Sequence, residues 1–185
     1  RINQQISNGN DHFTTVATAG NKDGIITLLK AFSIFKKWQK SSLELIIINR
    51  AGNNNIVPQI ESYKYKTSVH IISCKQDEEH ELIASSYAFI DISDLSTGKE
   101  YVLKTMSCGI PVISTFPLKN VFGEAVMYSE NTEKSISEKM MLIYKDEELR
   151  YKIIEKGNYF VASNSHEKML EAIKNITEKA LEQTS

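Results

Sequence analysis

The chain has 185 residues, 41% hydrophobic and 24% charged, with a formal net charge of -1. That describes one ordinary globular domain with room for a sizeable apolar core, and it excludes a strongly basic nucleic-acid binder. No apolar run approaches the ~20 residues of a membrane span, and no signal peptide stands at the start.

The chain opens on Arg1 and the polar "RINQQISNGNDH", so residues 1–12 read as a polar leader or linker and the whole as a piece of a longer protein. Phe13–Thr18, "FTTVAT", is a β-branched run and predicts the first strand. The loop "AGNKDG" leads into Asp23–Lys40, where Ile25, Leu28, Phe32 and Phe35 recur at helical spacing. Leu43–Asn49, "LELIIIN", is a continuous apolar run, as a strand buried on both faces requires. After "AGNNN", Ile56–Tyr65 reads as a helix with Pro58 in its first turn. Ser68–Ser73 is a third strand, "DEEHELIASS" an acidic-fronted helix, and Tyr87–Ser93 a fourth strand. A helix near Glu100–Ser107 ends on Gly109, "PVIST" is a fifth strand, and Ala125–Tyr128 a sixth. Helices follow at Ser135–Tyr144, at Asp146–Lys156 closed by Gly157, and at Asn164–Gln183 with a capping-box spacing of Asn164 and Glu167. Strands alternating with helices at this rhythm predict an α/β domain: a doubly wound, mostly parallel six-stranded Rossmann-like sheet with a helical C-terminal tail.

Such sheets take ligands at the carboxyl ends of their strands, here the loops 17–23, 49–55, 73–77, 93–99 and 114–119. The first carries Gly20 and Gly24 before a helix start, which can hold a phosphate, but neither GxGxxG nor GKS/T is present. Side-chain chemistry is sparse. The four histidines, His12, His70, His80 and His166, are scattered, with His80 read as solvated and His70 as core. No nucleophile elbow, HExxH or close Cys–His pairing is visible. Glu78, Glu79 and Glu81 read as a solvated helix face, and Glu100 with Lys104 as a surface ion pair. Cys74 and Cys108 lie outside metal-ligand spacing; Cys108 reads as a small buried hydrophobe, no disulfide is expected, and a reducing compartment follows.

The order of segments says more than any single motif. "GIITLLKAFSIFKKW", "LELIIIN", "VHIIS", "HELIASSYAFIDIS", "KTMSCGIPVIS", "FGEAVMY" and "DEELRYKIIEKGNYF" together resemble the C-terminal half of a GT-B glycosyltransferase, of the family-four or glycosyl transferases group one type. The resemblance runs from about Phe13 to the end, so residues 13–185 would be that C-terminal Rossmann-like domain. It implies a half that binds a nucleotide-diphosphate sugar as donor and closes on an N-terminal acceptor domain lying outside this chain. Transfer would retain anomeric configuration without a required metal or other cofactor. It implies a role in glycan or polysaccharide synthesis in the cytoplasm, at the inner face of the membrane through the rest of the protein.

The family's donor motif pairs two glutamates across seven residues, and "MSCGIPVIS" fixes its register. The first glutamate falls on Ser96, the Gly-Phe-Gly stretch on Thr97, Gly98 and Lys99, and the second glutamate on Lys104. Of the preceding Pro-Ser only Ser93 is kept, beside Ile92. The Arg and Lys that hold the diphosphate fall on Ala17 and Asp23, with Lys22 adjacent, and Asn120 replaces the glutamate of a Pro-Glu-Val segment. Four charge-assisted partners at about 1.5–3 kcal/mol each amount to roughly 6–12 kcal/mol, against about 8 kcal/mol for a micromolar ligand. An unmodified donor mode does not survive that loss. Two readings stay open. One is an active transferase with a rewired site, in which Lys22, Lys99 and Lys104 supply positive charge, Glu100 accepts, and Gly24, Ser93, Ser96, Thr97 and Gly98 line the donor. The other is a catalytically inactive relative with a structural or partner-binding role, for example beside another glycosyltransferase. No catalytic or metal-ligating residue is assigned.

Overall fold

Six short apolar runs become six strands of one parallel sheet, ordered β3-β2-β1-β4-β5-β6. The structure is a computed structural model and describes residues 11–18, 20–50, 60–93, 95–117 and 119–164. The strands are β1 (His12–Ala17), β2 (Glu44–Asn49), β3 (Val69–Ile72), β4 (Ala88–Asp91), β5 (Val112–Ser114) and β6 (Met127–Tyr128). The helices are α1 (Lys22–Gln39), α2 (Gln76–Ala84), α3 (Leu95–Ser107), α4 (Lys119–Phe122), α5 (Glu133–Lys145) and α6 (Glu147–Ser163). The sheet order reverses where β1 pairs with β4, Phe13 opposite Ala88 and Thr14 opposite Phe89. Loops leaving these two strands diverge there and open a crevice at their carboxyl ends.

The pleat sends alternate side chains to opposite faces, and each face is covered by helices. Phe13, Leu45, Ile47 and Ile90 pack with α1 (Leu28, Phe32, Phe35) and α5 (Ile136, Met140, Ile143). Val16, Ile46, Ile48, Phe89 and Val112 pack with α2 (Leu82, Ile83) and α3 (Val102, Met106). Helix α6 reaches both cores, the first through Ile153 and the second through Phe160 and Val161. No helix among the described residues is long and apolar enough to cross a membrane.

Gly109 ends α3 as expected. At φ 69° it lets its own N–H reach Met106 O at 3.0 Å and the Ile110 N–H reach Thr105 O at 3.2 Å, a Schellman closure. Three boundaries differ from the sequence reading. Helix α3 begins at Leu95, well before Glu100, because its first turn, poor in helix formers, is placed by its seat on the end of β4. Helix α6 runs through Gly157 to Ser163. That glycine is buried, and a Cβ there would stand 3.2 Å from Met106, so it marks a close approach of α6 to α3 rather than a stop. α-Helical conformation at residues 60–61 ends at Glu61, short of Tyr65. The Tyr63 hydroxyl instead ties the following turn to α1, donating to Leu29 O at 2.7 Å. The leader over 1–10, the start of the helix expected at Ile56 and the tail helix beyond Asn164 lie outside the described residues.

Candidate functional site

The carboxyl ends of the strands hold two separate polar clusters and one cleft. The first cluster centres on Asp91, the last residue of β4, which is 1% exposed. Its Oδ1 accepts from the Ser93 amide at 3.1 Å and from the Ser93 hydroxyl, and its Oδ2 from the Ser114 hydroxyl at 2.7 Å. The Asp91 carbonyl accepts from the Thr115 amide at 2.9 Å, so this one residue also fixes the exit of β5. Gly98 rests on the carboxylate: a Cβ at 98 would lie 3.3 Å from both carboxylate oxygens. Next door, Gly24 lets the start of α1 approach Ile92 just past β4, where a Cβ would meet both Ile92 Cβ and Ile92 O at 3.3 Å. Buried Asn21 shapes that turn, accepting from the Thr18 amide and donating to Val16 O, each at 2.9 Å.

The second cluster lies on the α2 flank. Glu79, in the first turn of α2, is 1% exposed and sits between two cations. Arg50 Nε donates to its Oε2 at 2.7 Å and Lys104 Nζ to its Oε1 at 2.9 Å. Arg50 also lies over the Tyr101 ring, 5.8 Å from its centre. Burial opposes the Arg50 charge, but the Glu79 hydrogen bond and neighbouring negative charge prevail and hold the guanidinium above its ordinary range. Burial, with Glu79 second, pushes the Tyr101 phenol up to about 12.

Beyond Asp91, the exits of β5 and β6 enclose an open cleft of about 340 Å³, lined by Thr115, Phe116, Lys119 and Tyr128 among others. The Tyr128 hydroxyl is buried with no hydrogen-bond partner among the described residues, and burial pushes it up to about 12. A larger cavity, about 530 Å³, lies on the α6 flank between Phe122 and Phe160 and holds none of the expected donor-binding residues.

The structure redistributes the expected site residues. Ser93 and Gly98 meet at Asp91, and Gly24 packs beside them. Ser96 and Thr97 are in the first turn of α3, and their side chains lie outside the described residues. Lys22 is exposed at the start of α1 and Lys99 and Glu100 in the second turn of α3, while Lys104 is committed to Glu79. The three lysines do not form one ionic cluster among the described residues. The expected Glu100–Lys104 pair is replaced by Glu79–Lys104, because Lys104 turns toward the buried carboxylate across the helix interface rather than along its own helix. Glu79 is thus not part of a solvated face, and that correction has the same cause.

Cys108 is half-buried rather than buried, and its Sγ lies 3.8 Å from His80 Nε2, a pairing with no trace in the sequence spacing. Both cysteines are free. His70 is half-buried and contacts Glu44 at 2.8 Å. Asp91, Ser114, Glu79, Arg50 and Asn21 were not expected at the site. Only Asp91 carried a signal: an acid inside the apolar run "FIDI".

Known structures share this architecture. WaaG, a glycosyltransferase involved in lipopolysaccharide biosynthesis, superposes with a TM-score of 0.72 at 16% identity, covering 95% of this chain and 50% of WaaG. The C-terminal domain of the glycosyl transferase group 1 protein LpcC from Francisella tularensis gives 0.71 at 15% identity, covering 88% of this chain and 89% of that domain. The pneumococcal O-GlcNAc transferase GtfA, solved with UDP and GlcNAc, gives 0.71 at 14% identity over 95% of this chain and 37% of GtfA. The chain therefore spans about half the length of WaaG and less of GtfA. No curated protein matches it in sequence. The sequence model described as glycosyl transferases group 1 matches residues 1–160, and the chain belongs to that family.

Proposed function

We propose that this chain is the nucleotide-sugar-binding half of a retaining glycosyltransferase in glycan or polysaccharide synthesis, with an altered donor site. An N-terminal acceptor-binding domain would complete it, in a cytoplasmic protein. The observation that carries this reading is an exchange of charge at one place. Lys104 stands where the family resemblance calls for a carboxylate, and Glu79 brings a carboxylate back to within 2.9 Å of it from a different helix. A lysine can donate to hydroxyls but cannot accept from them, and the buried Glu79 holds this lysine in place with a fixed countercharge. Arg50 and Lys104 bring two positive charges to Glu79, and Glu100 also acts on Arg50, so positive and negative groups are matched in number there. The UDP and GlcNAc held by GtfA support UDP-sugars as the first donors to try.

One observation favours the second reading, an inactive domain with a structural or partner-binding role. Lys104 is already engaged and only partly exposed, while Lys22 and Lys99 are exposed to solvent. Calorimetric titration of the chain with UDP, GDP and their sugar conjugates separates the two. The donor reading expects micromolar to low-millimolar binding of one nucleotide, weakened about tenfold or more by Lys104→Ala, equivalent to roughly 1.4 kcal/mol. Absence of heat with every nucleotide would favour the structural role.

A further inference from the structure

Cys108 and His80 bring a nucleophile and a base together away from the mouth of the sheet. Helix α3 leaves the carboxyl end of β4 and runs back to the start of the parallel strand β5, so Cys108, one residue past the helix, lies at the opposite end of the sheet. Its thiol is half-buried, the imidazole is exposed, and Sγ lies 3.8 Å from His80 Nε2. Each partner is placed by groups other than the pair itself. The Cys108 amide donates to Thr105 O at 3.1 Å, inside the turn that Gly109 closes. The Glu79–Lys104 contact at 2.9 Å fastens α2 to α3 one residue before His80 and about one turn before Cys108.

The surroundings decide what such a pair can do. The thiolate, not the thiol, is the reacting form of cysteine, and the negative end of a helix opposes it. A thiol in that place gains most from a neighbour that takes its proton as it reacts, and a neutral imidazole suits the task near neutral pH. Cys74 provides an internal comparison. It is also free and half-buried, but burial, with Glu79 and Glu78 behind it, pushes its thiol up.

We infer that Cys108 is a modification site, a thiol that exchanges with low-molecular-weight disulfides with His80 as its base. With its own proton on Nδ1, His80 accepts the thiol proton at Nε2 as Cys108 Sγ attacks one sulfur of the disulfide. The new S–S bond forms as the old one breaks, and the departing thiolate takes up a proton and leaves as a thiol. The disulfide is the oxidant: the Cys108 sulfur is oxidised, the departing sulfur is reduced, and excess thiol reverses the step. None of this depends on the donor reading.

The test exposes the full chain to oxidised glutathione at neutral pH and follows the intact mass. The chain has two cysteines, so Cys74→Ser isolates Cys108 and Cys108→Ser isolates Cys74. Cys108 is expected to form the mixed disulfide about tenfold or more faster than Cys74, and His80→Gln to slow Cys108 about tenfold. Equal rates for the two cysteines, or a Cys108 rate indifferent to His80→Gln, would overturn the proposal. The Cys74→Ser chain is also compared, folded and in urea. A Cys108 that reacts no faster in the folded chain than in the unfolded one has no activating base, and the proposal falls whether or not the His80 variant folds.

Discussion

Two acidic side chains at the mouth of this sheet, Glu79 and Asp91, are equally buried, each 1% exposed, yet they are satisfied in opposite ways. Glu79 lies between two cations and has its charge cancelled where it sits. Asp91 lies between hydroxyls and an amide, which solvate a charge without cancelling it. A cancelled charge binds elements together: Glu79 joins the end of β2, α2 and α3. An acid held only by neutral donors orders the chain beside it: Asp91 fixes the turn at Ser93 and the exit of β5 at Ser114. The difference separates an acid whose loss strands two cations from one whose loss strands only neutral donors.

The largest expected effect tests that separation directly. Glu79→Gln removes the charge and leaves Lys104 and Arg50 facing each other across a buried amide. Because both cations keep some access to water, the expected loss is about 2–4 kcal/mol, toward the lower range for breaking a buried pair. The same acid-to-amide change at Asp91 leaves one accepting oxygen and makes the Ser114 hydroxyl turn from donor to acceptor, so the expected loss is about 1–2 kcal/mol. Urea denaturation of the two variants side by side measures the contrast; equal losses would erase it. A smaller effect follows at Lys104. Lys104→Ala leaves Glu79 with Arg50, so the loss should be about 1–2 kcal/mol. The double change Glu79→Gln with Lys104→Ala should then cost less than the sum, since the second substitution removes a cation that the first left unpaired. Strict additivity in the same denaturation series would mean that the 2.9 Å contact does not couple the two side chains.

The same contrast explains what could be read from the sequence. The sheet was legible because a parallel strand covered on both faces must be apolar throughout, and "LELIIIN" can be little else. Gly109 was legible because a Schellman closure needs a left-handed residue directly after a helix. Gly157 misled because a glycine after a run of charged residues also looks like a stop, while its cause is Met106 on another helix. Glu79 misled for a similar reason. Acids in a first helical turn are usually there for the dipole, and nothing local announces that Arg50 and Lys104, 29 and 25 residues away, converge on this one. The Cys108–His80 contact spans 28 residues and is equally silent. Asp91 was visible as an anomaly in an apolar strand, but its meaning depends on Gly98, and that contact exists only once α3 starts five residues earlier than its apolar spacing suggests. Polar sites built across elements leave their apolar scaffolding in the sequence and keep their pairings for the fold.

The smallest expected effect probes the Glu79 cluster through pH. Burial, reinforced by Glu79, raises the Tyr101 phenol from its ordinary value of 10.0 to about 12. Below pH 10 the phenol is protonated in folded and unfolded chains alike, and its full contribution to stability is present. Between pH 10 and 12 the unfolded chain gives up this proton while the folded chain keeps it, so stability falls as pH rises through that window. By pH 11 the loss from Tyr101 should be about 1 kcal/mol. Tyr63 and Tyr128 are raised to about 12 as well, so alkaline destabilisation will not vanish in Tyr101→Phe; it should become shallower by that one share. The comparison to make is the urea midpoint of the unsubstituted chain and Tyr101→Phe at pH 9 and pH 11. Glu79→Gln should also lessen the alkaline loss, because part of what raises Tyr101 is the Glu79 charge, whereas Asp91→Asn should leave it unchanged. If Asp91→Asn moved the alkaline limb as much as Glu79→Gln, the two acids would share one electrostatic environment, and the contrast between them would fail.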